Sequence, residues 1–464
     1  MASDRFEVVS PVDNSVYVTR EYATDKAIQT VLDRASQAQS QWQALPLAQR
    51  QLLCRAMIEK FCVNKDIIAE EICWQMGRPI RFAGGEVDGV AERANHMIEL
   101  AEAALESLTL PAVSGFTRFI KREALGSVLV IAPWNYPYLT AINTIVPALL
   151  AGNCVILKHS AQTPLCAERL VAASAAAGFP SGVFQYVHAN HQQTEKLIGS
   201  DQIHHVAFTG SVAGGAMVER AAAGKFKSIG LELGGKDPAY VRADANLCHA
   251  VETVVDGAYF NSGQSCCGIE RAYVHESVFD EFVSKAVELT HRYELGPPNH
   301  HATTLGPLVR PSAAEFVRGQ VAQAMAKGAK QHVDTHLFSC AQNGSAYMAP
   351  QLLTQVNHSM ALMKEESFGP VLGVQAVKDD KEAIDLMNDS NFGLTAALFT
   401  QDEQVGLAIG EQVETGTFFI NRCDYLDPGL AWTGIKHSGR GCTLSQLGFD
   451  YLTRPKSFHL KQVQ

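Results

Sequence analysis

Between residues 127 and 232 short apolar runs alternate with stretches of helical period, and this alternation narrows the possible folds more than any other feature of the chain. SVLVIA, NCVILK, VFQYVH and HHVAFTG have few polar residues on either face, so each reads as a strand covered on both sides. Helical periodicity fills the gaps at 139–150, in CAERLVAASAAAG, around 193–199 and in SVAGGAMVERAAAG. Strands joined by helical connections of a dozen residues run parallel. The segment therefore predicts a doubly wound half of an α/β fold, of the kind that holds a nucleotide.

At 464 residues the chain exceeds what one core supports, because single cores stop growing near roughly 250–300 residues. After SIGLELGGKDPAYV the same rhythm restarts with AVETVVDGAYF and continues to about residue 435, which predicts a second α/β unit with a boundary near Gly235. Residues 24–106 read as helices, GFTRFIKREALG as a hairpin, and 453–463 as an edge strand. No linker composition separates the halves, so the active crevice is expected at their seam.

A hydrophobic share of 47% with 19% charged residues excludes disorder. The net charge of −10, without any basic run, excludes nucleic acid as a partner. The first residues lack the basic start and apolar core of a secretory signal, and no stretch suits a bilayer, so a cytoplasmic protein without membrane contact is expected. Eleven scattered cysteines, an odd number, read as reduced thiols. His204-His205 and His300-His301 lack metal-ligand spacing, and no metal is expected.

Four segments carry candidate chemistry. FNSGQSCC sets two cysteines after a glycine turn, where a thiolate could attack a carbonyl, although a lone cysteine is more often a buried structural residue. LELGGK places Glu232 in an apolar strand, an unfavourable setting for a carboxylate without a task. PWNYP ends a strand with Asn135, whose amide could donate to an oxyanion, whereas its bland role is that of a turn residue. FTGSVAGG runs from a strand into a helix through Gly210 and Ser211, offering amides and a helix N-terminus to a pyrophosphate.

These four segments, in this order and along nearly the whole chain, resemble the aldehyde dehydrogenase superfamily. Glu365-Glu366-Ser367-Phe368-Gly369-Pro370, Phe418-Phe419-Ile420-Asn421 and SGRG after Lys436 resemble further family segments. The resemblance implies a non-acylating, NAD(P)-dependent oxidation of an aldehyde to its acid. Cys266 would attack the aldehyde, Asn135 and the Cys266 amide would hold the oxyanion, and Glu232 would activate the water that cleaves the thioester. It also implies that Lys158 and Glu366 hold the riboses, that Phe368 lies beside the nicotinamide, and that Gly210 and Ser211 bind the pyrophosphate. Trp134 and Gly234 fall on the same cofactor side. Tyr136 and Trp432 would line a substrate tunnel for apolar or aromatic aldehydes or semialdehydes, with Asn143 as a polar spot and Cys267 in the pocket or packed.

The fold that follows is α/β with two doubly wound domains: 1–105 with 125–234 for the dinucleotide, and 235–440 for catalysis. A small β element of 106–124 and 449–464 would join subunits into a homodimer or homotetramer. The chain departs from the family pattern twice. Ala161 stands where many members carry a glutamate that repels a 2′-phosphate, leaving NAD and NADP both admissible. Gly441-Cys442 stand where some members have a further glutamate suggested to move protons. An inactive binding protein, a coenzyme A-acylating enzyme and a cofactor-free esterase are the alternative readings. Cys266, Glu232, Asn135 and Lys158 together weigh against the first, Glu232 against the second, and FTGS, Lys158 and Glu366 against the third.

Overall fold

The computed structural model describes residues 5–463. The first apolar runs form a six-stranded sheet in the order Gly439–Arg440, Ser228–Glu232, His205–Thr209, Ser127–Ala132, Cys154–His159, Phe184–Tyr186. All its pairings are parallel except the first, which is antiparallel. All six residues of Ser127–Ala132 are buried, as a strand covered on both faces requires. Each large aliphatic side chain shielded in this way contributes about 1.5–3 kcal/mol of transfer free energy. The helix Pro137–Leu150, apolar on nearly every face, is packed inside this layer rather than on its surface.

The second unit is a seven-stranded sheet ordered Lys330–Gln331, Gln351–Thr354, Val371–Val377, Ile269–His275, Asp237–Val241, Thr395–Phe399, Thr417–Ile420. Only its first edge pairing is antiparallel. The change of sheet falls between Glu232 and Asp237. The far end differs from the expected 440. Gly439–Arg440 pairs with Leu231 and Glu232 of the first sheet, and Trp432, Leu444, Phe449 and Leu452 join the first core. After Ile420 the chain thus returns to the nucleotide-type half, because these apolar side chains have their complement there.

The hairpin expected within 106–124 is present, but GFTRFIKREALG supplies only one of its strands and Leu108–Thr109 the other. Phe116–Ala124 is one continuous strand, paired along nine residues with Thr453–Lys461 and at its other edge with Leu108–Thr109. Its alternation correctly signalled a strand, but its main partner lies more than three hundred residues away. A hairpin of Arg5–Val9 and Val16–Glu21 was not anticipated. Among the described residues no helix is long and apolar enough to cross a membrane, and all eleven cysteines are free.

Candidate active site

In the first sheet the strands Ser127–Ala132 and His205–Thr209 are neighbours, with later strands leaving to opposite sides. Their carboxyl ends form a topological switch point, where open α/β sheets bind ligands. Pro133-Trp134-Asn135 follow one strand and Gly210-Ser211 the other. Ser211 caps the helix Val212–Ala222, its hydroxyl accepting from Gly214 N at 3.2 Å. A cavity of about 450 Å³ opens here, walled by Trp134, Gly210, Ser211, Gly234, Glu366 and Phe368. Lys158 is not in this wall; it pairs with Ile131 one strand away, and burial lowers its pKa to about 8.

Cys266 is delivered by a strained turn. Asn261, Ser262 and Gly263 follow the helix Leu247–Tyr259 with φ of 53°, 58° and 70°. A non-glycine residue in this region costs on the order of 1–3 kcal/mol, so the surroundings must hold it. Ser262 Oγ donates to Gly306 O at 2.8 Å, and Arg78 Nε to Asn261 Oδ1 at 3.1 Å. A Cβ at Gly263 would stand 2.2 Å from Gly369 O, so only glycine fits. The turn leaves Cys266 half-buried on the crevice and Cys267 buried beside it.

Asn135 is anchored against that turn. Its Nδ2 donates to Gln264 O at 3.2 Å, and its carbonyl accepts from Arg78 Nη2. Arg78 is ion-paired with Glu86, and both side chains are almost wholly buried. Glu86 Oε1 in turn accepts from Tyr138 N at 2.9 Å and Leu139 N at 3.0 Å, so a carboxylate caps the positive end of the helix Pro137–Leu150. Neither Arg78 nor Glu86 was singled out for chemistry, since Arg78 stands in the Gly77-Arg78-Pro79 break that ends a helix and Glu86 in ordinary-looking helical text.

Glu232 ends its strand in the crevice. Burial pushes its pKa up; hydrogen bonds from Thr443 Oγ1 and from Thr209 Oγ1, the latter at 3.0 Å, and the charge of Arg93 act the other way. Thr443 comes from the segment after Gly441-Cys442, the positions at which the family's further glutamate is absent. Its hydroxyl was invisible in the sequence because nothing local links it to a strand 211 residues earlier.

A second cavity, of about 580 Å³, adjoins the first, and Tyr136, Asn143, Cys267 and Trp432 all line it. Cys266, Glu232, Thr140, Thr209 and Leu233 line both cavities. Cys267 Sγ donates to Asp424 Oδ1 at 2.9 Å, and Ser265 Oγ donates to the same oxygen at 3.1 Å. The hydrogen bond with Cys266, then burial and the Asp424 charge, hold the Cys267 thiol well above its ordinary range. Burial pushes Asp424 itself up to about 6. Asp424 had no sequence signal beyond its place in a loop that could not be positioned.

In the wall of the first cavity Glu366 accepts from Gly235 N at 3.1 Å, and burial with the nearby Glu270 charge raises its pKa to about 8. Phe368 stands edge-on to Trp134, ring centroids 5.6 Å apart, with a φ of 54°. Glu270 holds that segment by accepting from the backbone N–H groups of Ser367 and Phe368, and Lys236 neutralises it.

The profile of the aldehyde dehydrogenase family matches residues 1–458. The chain belongs to the aldehyde dehydrogenase family. It resembles the succinate-semialdehyde dehydrogenase (NADP+) of Deinococcus radiodurans, 32% identical over 451 residues that span 97% of this chain and 94% of the relative. It also resembles the succinate semialdehyde dehydrogenase (NAD(P)+) Sad of Escherichia coli K12, 31% identical over 440 residues, 95% and 94% of the two chains. The solved aldehyde dehydrogenase of Brucella melitensis biovar abortus 2308 superposes with a TM-score of 0.95 at 29% identity, covering 99% of this chain and 94% of that one. As a member of the family the chain is an aldehyde-oxidising oxidoreductase that works with NAD or NADP, as its motifs predict.

Proposed function

We propose that this dehydrogenase oxidises its aldehyde through a thioester on Cys266, hydrolysed with the help of Glu232. The observation that carries the reading is that one thiol and one carboxylate, Cys266 and Glu232, line both cavities at once. A group seated in the first cavity and an aldehyde seated in the second would meet there.

The first cavity suits a dinucleotide. It lies at the switch point, the capped helix Val212–Ala222 turns its N-terminus to it, and a Cβ at Gly234 would intrude to 2.3 Å from the Glu366 carboxylate. Ser211, Gly210 and Glu366 would hold the cofactor, with Phe368 and Trp134 beside its nicotinamide end and Lys158 reaching in from the neighbouring strand. A nicotinamide held there would supply the hydride acceptor for the oxidation, while Cys266 would hold the carbon being oxidised. Ala161 puts no carboxylate against a 2′-phosphate, in keeping with use of either nucleotide.

Asn135 spends one amide hydrogen on Gln264 O and keeps the second for the oxyanion. Losing such a donor costs about 10²–10³ in rate. Glu232, whose pKa burial raises above the ordinary carboxylate value, accepts the proton of the attacking water, and its two threonine donors keep the carboxylate oriented. Tyr136 and Trp432 suit a medium-size aliphatic or aromatic aldehyde or a semialdehyde, and the names of the two relatives favour the last. The sheet of Thr453–Lys461, Phe116–Ala124 and Leu108–Thr109 exposes Leu108 and Leu460, which supports a homodimer or homotetramer built on it.

Cys266→Ala is expected to abolish reduced-cofactor formation while cofactor binding persists, and Cys267→Ala to keep most activity. Glu232→Gln should accumulate an acyl adduct, seen by intact-protein mass spectrometry, and release acid slowly. Release of free acid without coenzyme A separates hydrolysis from acyl transfer. Activity surviving in Cys266→Ala but lost in Cys267→Ala would overturn the choice of nucleophile.

A further inference from the structure

The helix Gly85–Leu105 comes unusually close to the helix Pro137–Leu150, since a Cβ at Gly89 would stand 2.8 Å from Leu139 Cδ2. One turn beyond Gly89, on the same face, is Arg93. Its Nη1 donates to Leu139 O at 3.1 Å and to Asn143 Oδ1 at 3.2 Å, and the side chain lines the substrate cavity together with Cys266. Among the described residues Arg93 forms no ion pair, and its Nε and Nη2 have no hydrogen-bond acceptor. The adjacent Glu92 is taken by the Tyr425 hydroxyl at 2.8 Å. Asn143, by giving its oxygen to Arg93, is left with a buried Nδ2 that has no partner.

The Arg93 side chain is half-buried, and although the charges of Glu86, Glu232 and Glu92 act on it, none is within ion-pair distance, so its Nε and Nη2 edge is left for an anion entering the cavity. The other carboxylates of this cavity are otherwise placed. Glu232 is held by Thr209 and Thr443, Asp424 by Ser265 and Cys267, and Glu252 and Asp256 stand on the wall formed by the helix Leu247–Tyr259. We propose that Arg93, braced by Asn143, receives a carboxylate at the far end of the substrate, so that the enzyme takes a short ω-carboxy aldehyde. This rests on the reading of the second cavity as the aldehyde site. Leu139 and Asn143, which hold Arg93, lie in the first two turns of the helix that begins two residues after Asn135, and this closeness favours a short substrate.

The test compares kcat/KM for succinate semialdehyde and for butanal, its neutral counterpart of equal length, in the native enzyme, Arg93→Met and Arg93→Lys. A native preference of about 30-fold or more is expected, equivalent to a charge-assisted pairing of the usual strength. In Arg93→Met the ratio should fall to near one through KM rather than kcat, and Arg93→Lys should recover part of it. Calorimetric titration with succinate, which cannot react, should show binding to the native protein and its loss in Arg93→Met. Equal kcat/KM values in the native enzyme, or a ratio that Arg93→Met leaves unchanged, would overturn the assignment. Absence of turnover with both aldehydes, while succinate still binds through Arg93, would instead sink the oxidation reading and leave the anion site standing.

Discussion

Replacing Thr443 with valine keeps the shape of the side chain and deletes the hydroxyl that donates to Glu232. A hydrogen bond to an ionised group contributes about 1.5–3 kcal/mol, and about 1.4 kcal/mol is a tenfold change in an ionisation equilibrium. Burial already raises the Glu232 pKa, and the Thr443 and Thr209 hydroxyls favour the ionised form. Deleting one of them raises the pKa further. Because the base works ionised, acid release slows as pH falls through that pKa, and in Thr443→Val this decline should begin about one pH unit higher. Hydrolysis of p-nitrophenyl acetate without cofactor isolates the step: the burst of nitrophenol reports acylation of Cys266 and the steady phase its hydrolysis. The steady phase should show the displaced acid limb and the burst amplitude should persist. An acid limb that stays in place in a folded Thr443→Val protein would refute Glu232 as the titrating base.

Gly234→Ala would press a methyl group against the Glu366 carboxylate, at 2.3 Å in the present geometry. Since that carboxylate can swing away, the melting temperature should hold while cofactor affinity, read by fluorescence titration, drops by about tenfold or more; undiminished affinity would remove Glu366 from the cofactor site. Glu86→Gln strips the charge from a buried ion pair and leaves the Arg78 guanidinium uncompensated, at about 3–5 kcal/mol. Urea unfolding should shift accordingly, and kcat should fall with it because Arg78 fixes the Asn135 carbonyl. A native-like unfolding midpoint would contradict that placement.

The parts of the fold legible in the sequence are those that local composition dictates. SVLVIA is buried on both faces, so its apolar run declares a parallel strand, and the strand-to-helix passage at Gly210-Ser211 declares its own turn. GQSC, LELGGK and PWNYP brought Cys266, Glu232 and Asn135 to notice, and the structure gathers all three around one cavity. What escaped was set by distant partners. The run Phe116–Ala124 was read as two strands rather than one because the long strand that supports it, Thr453–Lys461, is remote in sequence. Arg93 sits in the polar text AERANHM, where nothing shows that Gly89 lets a second helix approach. Asp424 and Thr443 lie in irregular segments whose positions follow from tertiary packing alone.

The grip of Thr443 on Glu232 across 211 residues also bears on how the enzyme is made. The thiol, the amide and the carboxylate are all translated before the segment that orients the last of them. Docking of Gly439–Arg440 onto the first sheet, with Asn153 Nδ2 donating to Leu452 O, is among the most non-local closures in the chain and so belongs among the slow steps of folding. A ribosome-bound chain that already displays Cys266 therefore lacks a set base, and competence to turn over arrives late in biogenesis, when the final core residues Phe449 and Leu452 have been buried.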